Sequence, residues 1–351
     1  LAWSRSLRPR LTGACTLLLL AACAPQPLID ATSTLPPVVL TTADAAGIRD
    51  LRAHYRAALC ARLADEAACE RTLVRFAGEQ SAAPATRPAA LPGRYRIAFV
   101  PGFFSECFDR YARPFRDVER ELRREGFTVD YFQVPGRGTT AANAQHLATH
   151  FAALGDDPRP IIVVAYSKGL VDVLDFVVKY PADAKRIAAV VSVAGAANGS
   201  PLADRLHAVY RDWVAAFPLP GCSAGTGDEI QDLRRDVRLE WWRMHRQQLT
   251  VPVFALVAAP GPEQVSPAMR ATYDRLAQVD PRNDGKLVVH DQLVPGGFLL
   301  GYANADHWAI AIPVAEELPA LAFMFRDEVP RTVLVRAAID VVADTLASRS
   351  Q

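Results

Sequence analysis

"VVAYSKGLVDVL", residues 163–174, runs from a short apolar stretch into Tyr166-Ser167-Lys168-Gly169 and on into a helical pattern. A serine at the turn from a buried strand into a helix is either an ordinary helix N-cap or a nucleophile held on a tight turn. The stretch Ala165-Tyr166-Ser167-Lys168-Gly169 fits the pattern G-x-S-x-G with alanine at the first position. Flanking residues on such a turn have to be small so that strand and helix approach, and alanine meets that need. A helix beginning at Lys168 sets backbone N–H groups and the positive end of its dipole beside any oxyanion formed at the serine.

Outward from this turn, apolar strands alternate with helices. The pattern predicts strands over 95–100, 128–134, 160–165, 187–194, 252–257 and 298–302, with helices near 109–125, 141–154, 169–180, 265–278 and 331–348. Continuous apolar strands alternating with helices predict an α/β fold, a mostly parallel sheet covered on both faces. Ligands of such sheets bind beyond the carboxyl ends of the strands. One insertion interrupts the rhythm, and a helical cap is expected at about 198–250. Leu202, Leu206, Val209, Trp213 and Phe217 form one helical stripe there, and Ile230, Leu233, Val237, Trp241 and Met244 a second. Both stripes are expected to pack against the body, over the strand ends.

A serine nucleophile needs a base, an acid and oxyanion donors. In "IAFVPGFF" (97–104) the strand ends at Val100 and Pro101-Gly102-Phe103 makes a turn, so the Phe103 amide is a candidate donor beside that of Lys168. Of the seven histidines, His307 in "GYANADHWAIAIP" lies just past the last strand, whereas His290, within an apolar run, reads as a strand residue. Asp284 in "DPRNDGKLVV" and Asp291 compete for the acid, while Asp306 is too near His307 to face it. Asn283-Asp284-Gly285 also reads as a plain turn.

The order Ser167, Asp284, His307 resembles the bacterial triacylglycerol lipases and esterases of the α/β-hydrolase superfamily. The resemblance covers about residues 95–320, and "GSPLAD" (199–204) is similar to lipase segments at that place; Pro101 stands where those lipases carry a histidine. It implies the α/β-hydrolase fold, a Ser167–His307–Asp284 triad, Phe103 and Lys168 amides in the oxyanion hole, and a hydrophobic ester or acyl substrate. Hydrolysis, acyl transfer and thioester cleavage all fit that triad. A non-catalytic binding module is the remaining reading, favoured by Pro101 and by the bulky charge of Lys168 beside the serine.

The formal net charge is +1 with no long basic run, so no nucleic-acid partner is expected. Phosphate-binding and dinucleotide glycine loops, H-E-x-x-H and paired C-x-x-C spacings are all missing, so no cofactor or metal is expected; some lipases of this kind bind calcium, but no acidic cluster marks a site. Arg5, Arg8 and Arg10 precede an apolar stretch that ends in Leu20-Ala21-Ala22-Cys23. This reads as a lipoprotein signal peptide over 1–22 with lipidation at Cys23. Ala24 after the cysteine, by resemblance to other lipoproteins, favours a bacterial outer-membrane anchor facing the periplasm. A flexible tether is expected over 23–43, a helical segment over 44–80, a linker over 81–93, and the hydrolase domain over 94–351. In an oxidising envelope, Cys60, Cys69, Cys107 and Cys222 are disulfide candidates; the expected pairs are Cys60–Cys69, brought together by a turn near Asp65-Glu66 that folds the segment into two helices, and Cys107–Cys222.

Overall fold

The computed structural model describes residues 47–76, 78–79, 92–218 and 221–349. The signal peptide, Cys23 and the tether lie outside the described residues, as does nearly all of the linker. The strands are β1 (Arg49–Asp50), β2 (Leu73–Val74), β3 (Arg96–Val100), β4 (Thr128–Tyr131), β5 (Ile161–Tyr166), β6 (Ile187–Val193), β7 (Val253–Ala258) and β8 (Phe298–Ala303). They form one sheet in the order β1-β8-β7-β6-β5-β3-β4, with β2 also on β8. Every pairing is parallel except β2 with β8.

Every residue of β3, β5, β7 and β8 is buried. Their alternate side chains therefore feed two cores rather than one core and solvent. Ile97, Phe99, Ile162, Val164 and Phe254 pack with the final helix, Arg331–Arg349, on one face. Ala98, Val100, Val163, Ala165 and Val190 pack on the other face with the helices Thr140–Ala153 and Lys168–Lys179.

The structure corrects three element expectations. The segment at 44–80 divides into two helices, Arg52–Cys60 and Glu66–Thr72, as the turn expected near Asp65-Glu66 requires, but it also carries β1 and β2, which bracket the helices and line the otherwise open edge of β8. An unpaired edge needs backbone partners, a demand that side-chain periodicity does not carry. The break falls at Asp65, whose carboxylate caps the second helix by accepting from the Ala68 N–H at 2.6 Å. The helix expected at 109–125 is two helices, Ser105–Ala112 and Arg116–Arg124, because Pro114 cannot donate and restricts the residue before it. Pro267 opens a 3₁₀ turn, Pro267–Met269, before the helix Arg270–Leu276, so the helix expected from 265 is shorter.

Strand order reverses between β3 and β5, since the chain leaves β3 for β4 on one side and returns to β5 on the other. The loops after Val100 and Tyr166 therefore meet at the carboxyl ends of adjacent strands. Two glycines make this approach feasible. A Cβ on Gly169 would stand 2.4 Å from Pro101 O, and one on Gly102 would stand 2.8 Å from Ser167 Cβ.

The insertion between β6 and β7 carries helices Pro201–Val209, Asp228–Gln231 and Arg235–His245, with a π turn at Tyr210–Val214. Its stripes pack only in part. Leu202, Leu233 and Trp241 are buried, but Val209, Phe217, Val237 and Met244 are exposed and Trp213 is 79% exposed. The buried residues pack against the body, Leu202 with Leu276 and Val288, Leu233 with Val171 and Leu287, and Trp241 with the larger core.

Candidate active site

Ser167 follows β5 directly, at φ 53° and ψ −124°, in a region an L side chain rarely adopts. Strain of this kind persists only where the surroundings hold it. Here the Ser167 N–H donates to Val193 O at 3.2 Å, while its carbonyl accepts from Leu170 at 3.2 Å and Ala196 at 3.1 Å. The hydroxyl does not cap the following helix. Its Oγ instead lies 2.9 Å from His307 Nε2. Of the two roles open to this serine, the cap is excluded by geometry.

His307 sits on the loop after β8, and its Nδ1 is 2.7 Å from Asp284 Oδ2. The His307 backbone N–H donates to the Asp284 carbonyl at 2.9 Å, and the Tyr166 hydroxyl donates to the His307 carbonyl at 2.7 Å. The imidazole is thus fixed from both neighbours. Asp284 is fully buried, and its other oxygen accepts from the N–H groups of Lys286 at 2.8 Å and Leu287 at 2.7 Å. Asn283-Asp284-Gly285 is a turn as well, with Gly285 at φ +88° and its N–H donating to Asn283 Oδ1 at 3.0 Å. The turn and the carboxylate that meets His307 are the same residues.

The rival acid lies elsewhere. Asp291 Oδ1 accepts from Arg235 Nη2 at 3.0 Å, and burial pushes its pKa up to about 7 against the pull of Arg235. His290 is not on a strand but in the 3₁₀ turn Val289–Gln292. Burial, reinforced by Arg235, lowers its pKa to about 4, so the neutral ring accepts from Arg235 Nη2 at 2.6 Å. This trio ties the insertion to the body. Asp306 caps the His307 loop, accepting from Trp308 at 3.0 Å, Ala309 at 2.9 Å and Ser266 at 2.7 Å.

Phe103 and Lys168 head the two loops that Gly102 and Gly169 bring together. Phe104 takes a left-handed conformation, φ 62°, and its N–H donates to Gly136 O at 2.8 Å. The Lys168 amide is at the start of a helix, where N–H groups lack intrahelical acceptors. Its side chain does not crowd the serine: it is buried along its own helix, with Nζ 2.6 Å from Asp172 Oδ1. Asp172 also accepts from Asn143 Nδ2 at 2.8 Å.

Sequence reasoning missed the groups that hold the insertion over this site. Tyr210 places its ring 5.5 Å from Phe103 and donates its hydroxyl to Glu229 Oε1 at 2.6 Å. Arg137 donates to the carbonyls of Ala215, Phe217 and Ser223, each at 2.8 Å. Disulfides join Cys60 to Cys69, Cα atoms 5.1 Å apart, and Cys107 to Cys222, 4.3 Å apart. The second spans 115 residues, a closure worth about 4–5 kcal/mol in the chain-entropy model, and binds the insertion to the helix after Phe104. Reduction, or the pair Cys107→Ala and Cys222→Ala, is expected to change activity at the Ser167 site more than it shifts the core unfolding transition. Activity and thermal unfolding measured side by side check this; a large loss of core stability with unchanged turnover contradicts it.

Among the described residues no group of three or more His, Cys, Asp or Glu is placed to hold a metal ion.

A carboxyl esterase of metagenomic origin, MGS0156, is similar to this chain at 33% identity and TM-score 0.80, covering 94% of this chain and 99% of its own. EstA from Clostridium botulinum shares the fold at 11% identity and TM-score 0.51, over 73% of this chain and 89% of its own. No family model matches the sequence, and no curated protein does.

Proposed function

The chain belongs to the α/β-hydrolase family of carboxylesterases and lipases, and from that premise we propose that it is a serine-dependent ester hydrolase using Ser167, His307 and Asp284. One observation carries the reading: an unbroken hydrogen-bonded chain from Ser167 Oγ through His307 to Asp284, beginning at a serine strained out of any capping role.

In this reading Ser167 Oγ attacks the ester carbonyl as His307 Nε2 takes its proton, and Asp284 stabilises the imidazolium through Nδ1–H. The Phe103 and Lys168 amides receive the charge on the carbonyl oxygen. Collapse breaks the carbon–oxygen bond to the alcohol, which leaves with the proton from His307. Water, deprotonated by His307, then releases the acid and restores the serine. The side-chain pairing of Lys168 with Asp172 removes the crowding that favoured a binding module. Nitrophenyl esters of graded chain length test the proposal: an initial burst followed by turnover is expected, and no hydrolysis at any chain length refutes it.

We also propose that the protein is tethered to a membrane through lipid on Cys23, supported by the arginine-led apolar stretch before it. Among the described residues no helix is long and apolar enough to cross a membrane. Two acyl chains on one cysteine are the kind of anchor that holds stably. Cys23→Ser is expected to move the protein from the membrane pellet to the soluble fraction with specific activity retained; a variant that stays wholly in the pellet places the anchor elsewhere.

A further inference from the structure

At the end of the sheet opposite Ser167, a cleft of about 250 Å³ opens between the starts of β7 and β8. Three arginines line it: Arg49 on β1, Arg246 after the last helix of the insertion, and Arg349 at the end of the final helix. No carboxylate is among its lining residues. Among the described residues none of the three guanidiniums has an ion pair, whereas arginines such as Arg52, Arg56, Arg96, Arg235 and Arg331 each have one.

The cluster is organised rather than scattered. Arg49 lies over the Phe298 ring at 4.5 Å, and Arg349 over the same ring at 5.8 Å. Each contact with the ring is favourable, but two cations on one ring repel each other, and Arg246 adds a third charge across the cleft. Thr250, also in the lining, supplies a hydroxyl. A multiply charged anion relieves the repulsion and accepts from several guanidinium N–H groups at once, the geometry that makes arginine suited to phosphate. The volume is below the roughly 300–1,000 Å³ of drug-sized sites and leaves room for a phosphate group with a small substituent.

We propose that this cleft binds a phosphate group through Arg49, Arg246 and Arg349. Phosphate reaches it either as the headgroup of a phospholipid or as the free ion. The first is suggested by the sequence, in which Arg49 lies six residues beyond the 23–43 stretch read as a tether. The site is independent of the ester chemistry, and its failure leaves the role of Ser167 untouched.

The test uses the full chain carrying Cys23→Ser, so that no attached lipid contributes. Calorimetric titration with inorganic phosphate and flotation with phosphatidylglycerol vesicles are run in parallel. Saturable phosphate binding is expected, weakened about tenfold by Arg246→Gln alone and about a hundredfold or more by R49Q/R246Q/R349Q. Vesicle binding that inorganic phosphate competes away, and that the triple variant loses, identifies the headgroup as the source. Phosphate binding without vesicle binding identifies the free ion. Arg243→Gln, on an exposed arginine paired with Glu240, is expected to change neither. If the triple variant does not fold, R246Q decides. Absence of both kinds of binding, or binding unchanged in the folded variants, overturns the proposal.

Discussion

Ser167→Ala is expected to lower ester turnover by about 10⁴-fold or more while leaving the unfolding transition in place, since members of a triad act as a unit. In the proposed mechanism the hydroxyl supplies the atom that forms the acyl bond, and nothing else in the hydrogen-bonded chain to Asp284 replaces it. Its loss costs the fold little. Ser167 Oγ does not cap the helix, and the turn is held by backbone bonds to Val193, Leu170 and Ala196 that alanine keeps. The left-handed backbone at φ 53° is as strained for alanine as for serine, so the change adds no new strain. Folded S167A with near-native turnover refutes the assignment.

Asp284→Asn is expected to cost on the order of 10⁴-fold in kcat, the scale seen when a triad acid is replaced by its amide. The direction follows from the bonds around Asp284. An asparagine Oδ1 would keep the N–H groups of Lys286 and Leu287, which forces its Nδ2 toward His307. An N–H aimed at Nδ1 demands the tautomer protonated on Nε2, and that nitrogen then has no lone pair for the Ser167 proton. Asp291→Asn touches Arg235 and the base of the insertion instead, and kcat is expected to stay within severalfold of wild type, with any effect read in thermal unfolding. Steady-state kinetics of both variants check this. A crippled D291N beside a mild D284N would mean that the acid is misassigned.

The members of the hydrogen-bonded chain could be picked out because each carries a local signal: the small-residue turn around Ser167, the Asn-Asp-Gly turn at Asp284, and the last apolar strand before His307. Local signals survive in one sequence. What failed to show was non-local. Arg137 binds carbonyls about 80 residues away, and β1 and β2 exist because the edge of β8 needs partners; neither leaves a period. Lys168 is an intermediate case. Its spacing from Asp172 is the i,i+4 of a helical ion pair, a readable sign that the charge turns along its own helix rather than toward the serine.

Labelling by a fluorophosphonate, followed by peptide mapping, tests the central claim most directly, because only an activated serine beside oxyanion donors reacts readily with such a probe. The account predicts one adduct per chain, on the peptide containing Ser167, absent from S167A and slowed in D284N. No adduct on folded wild-type protein, or an adduct that S167A retains, would contradict it.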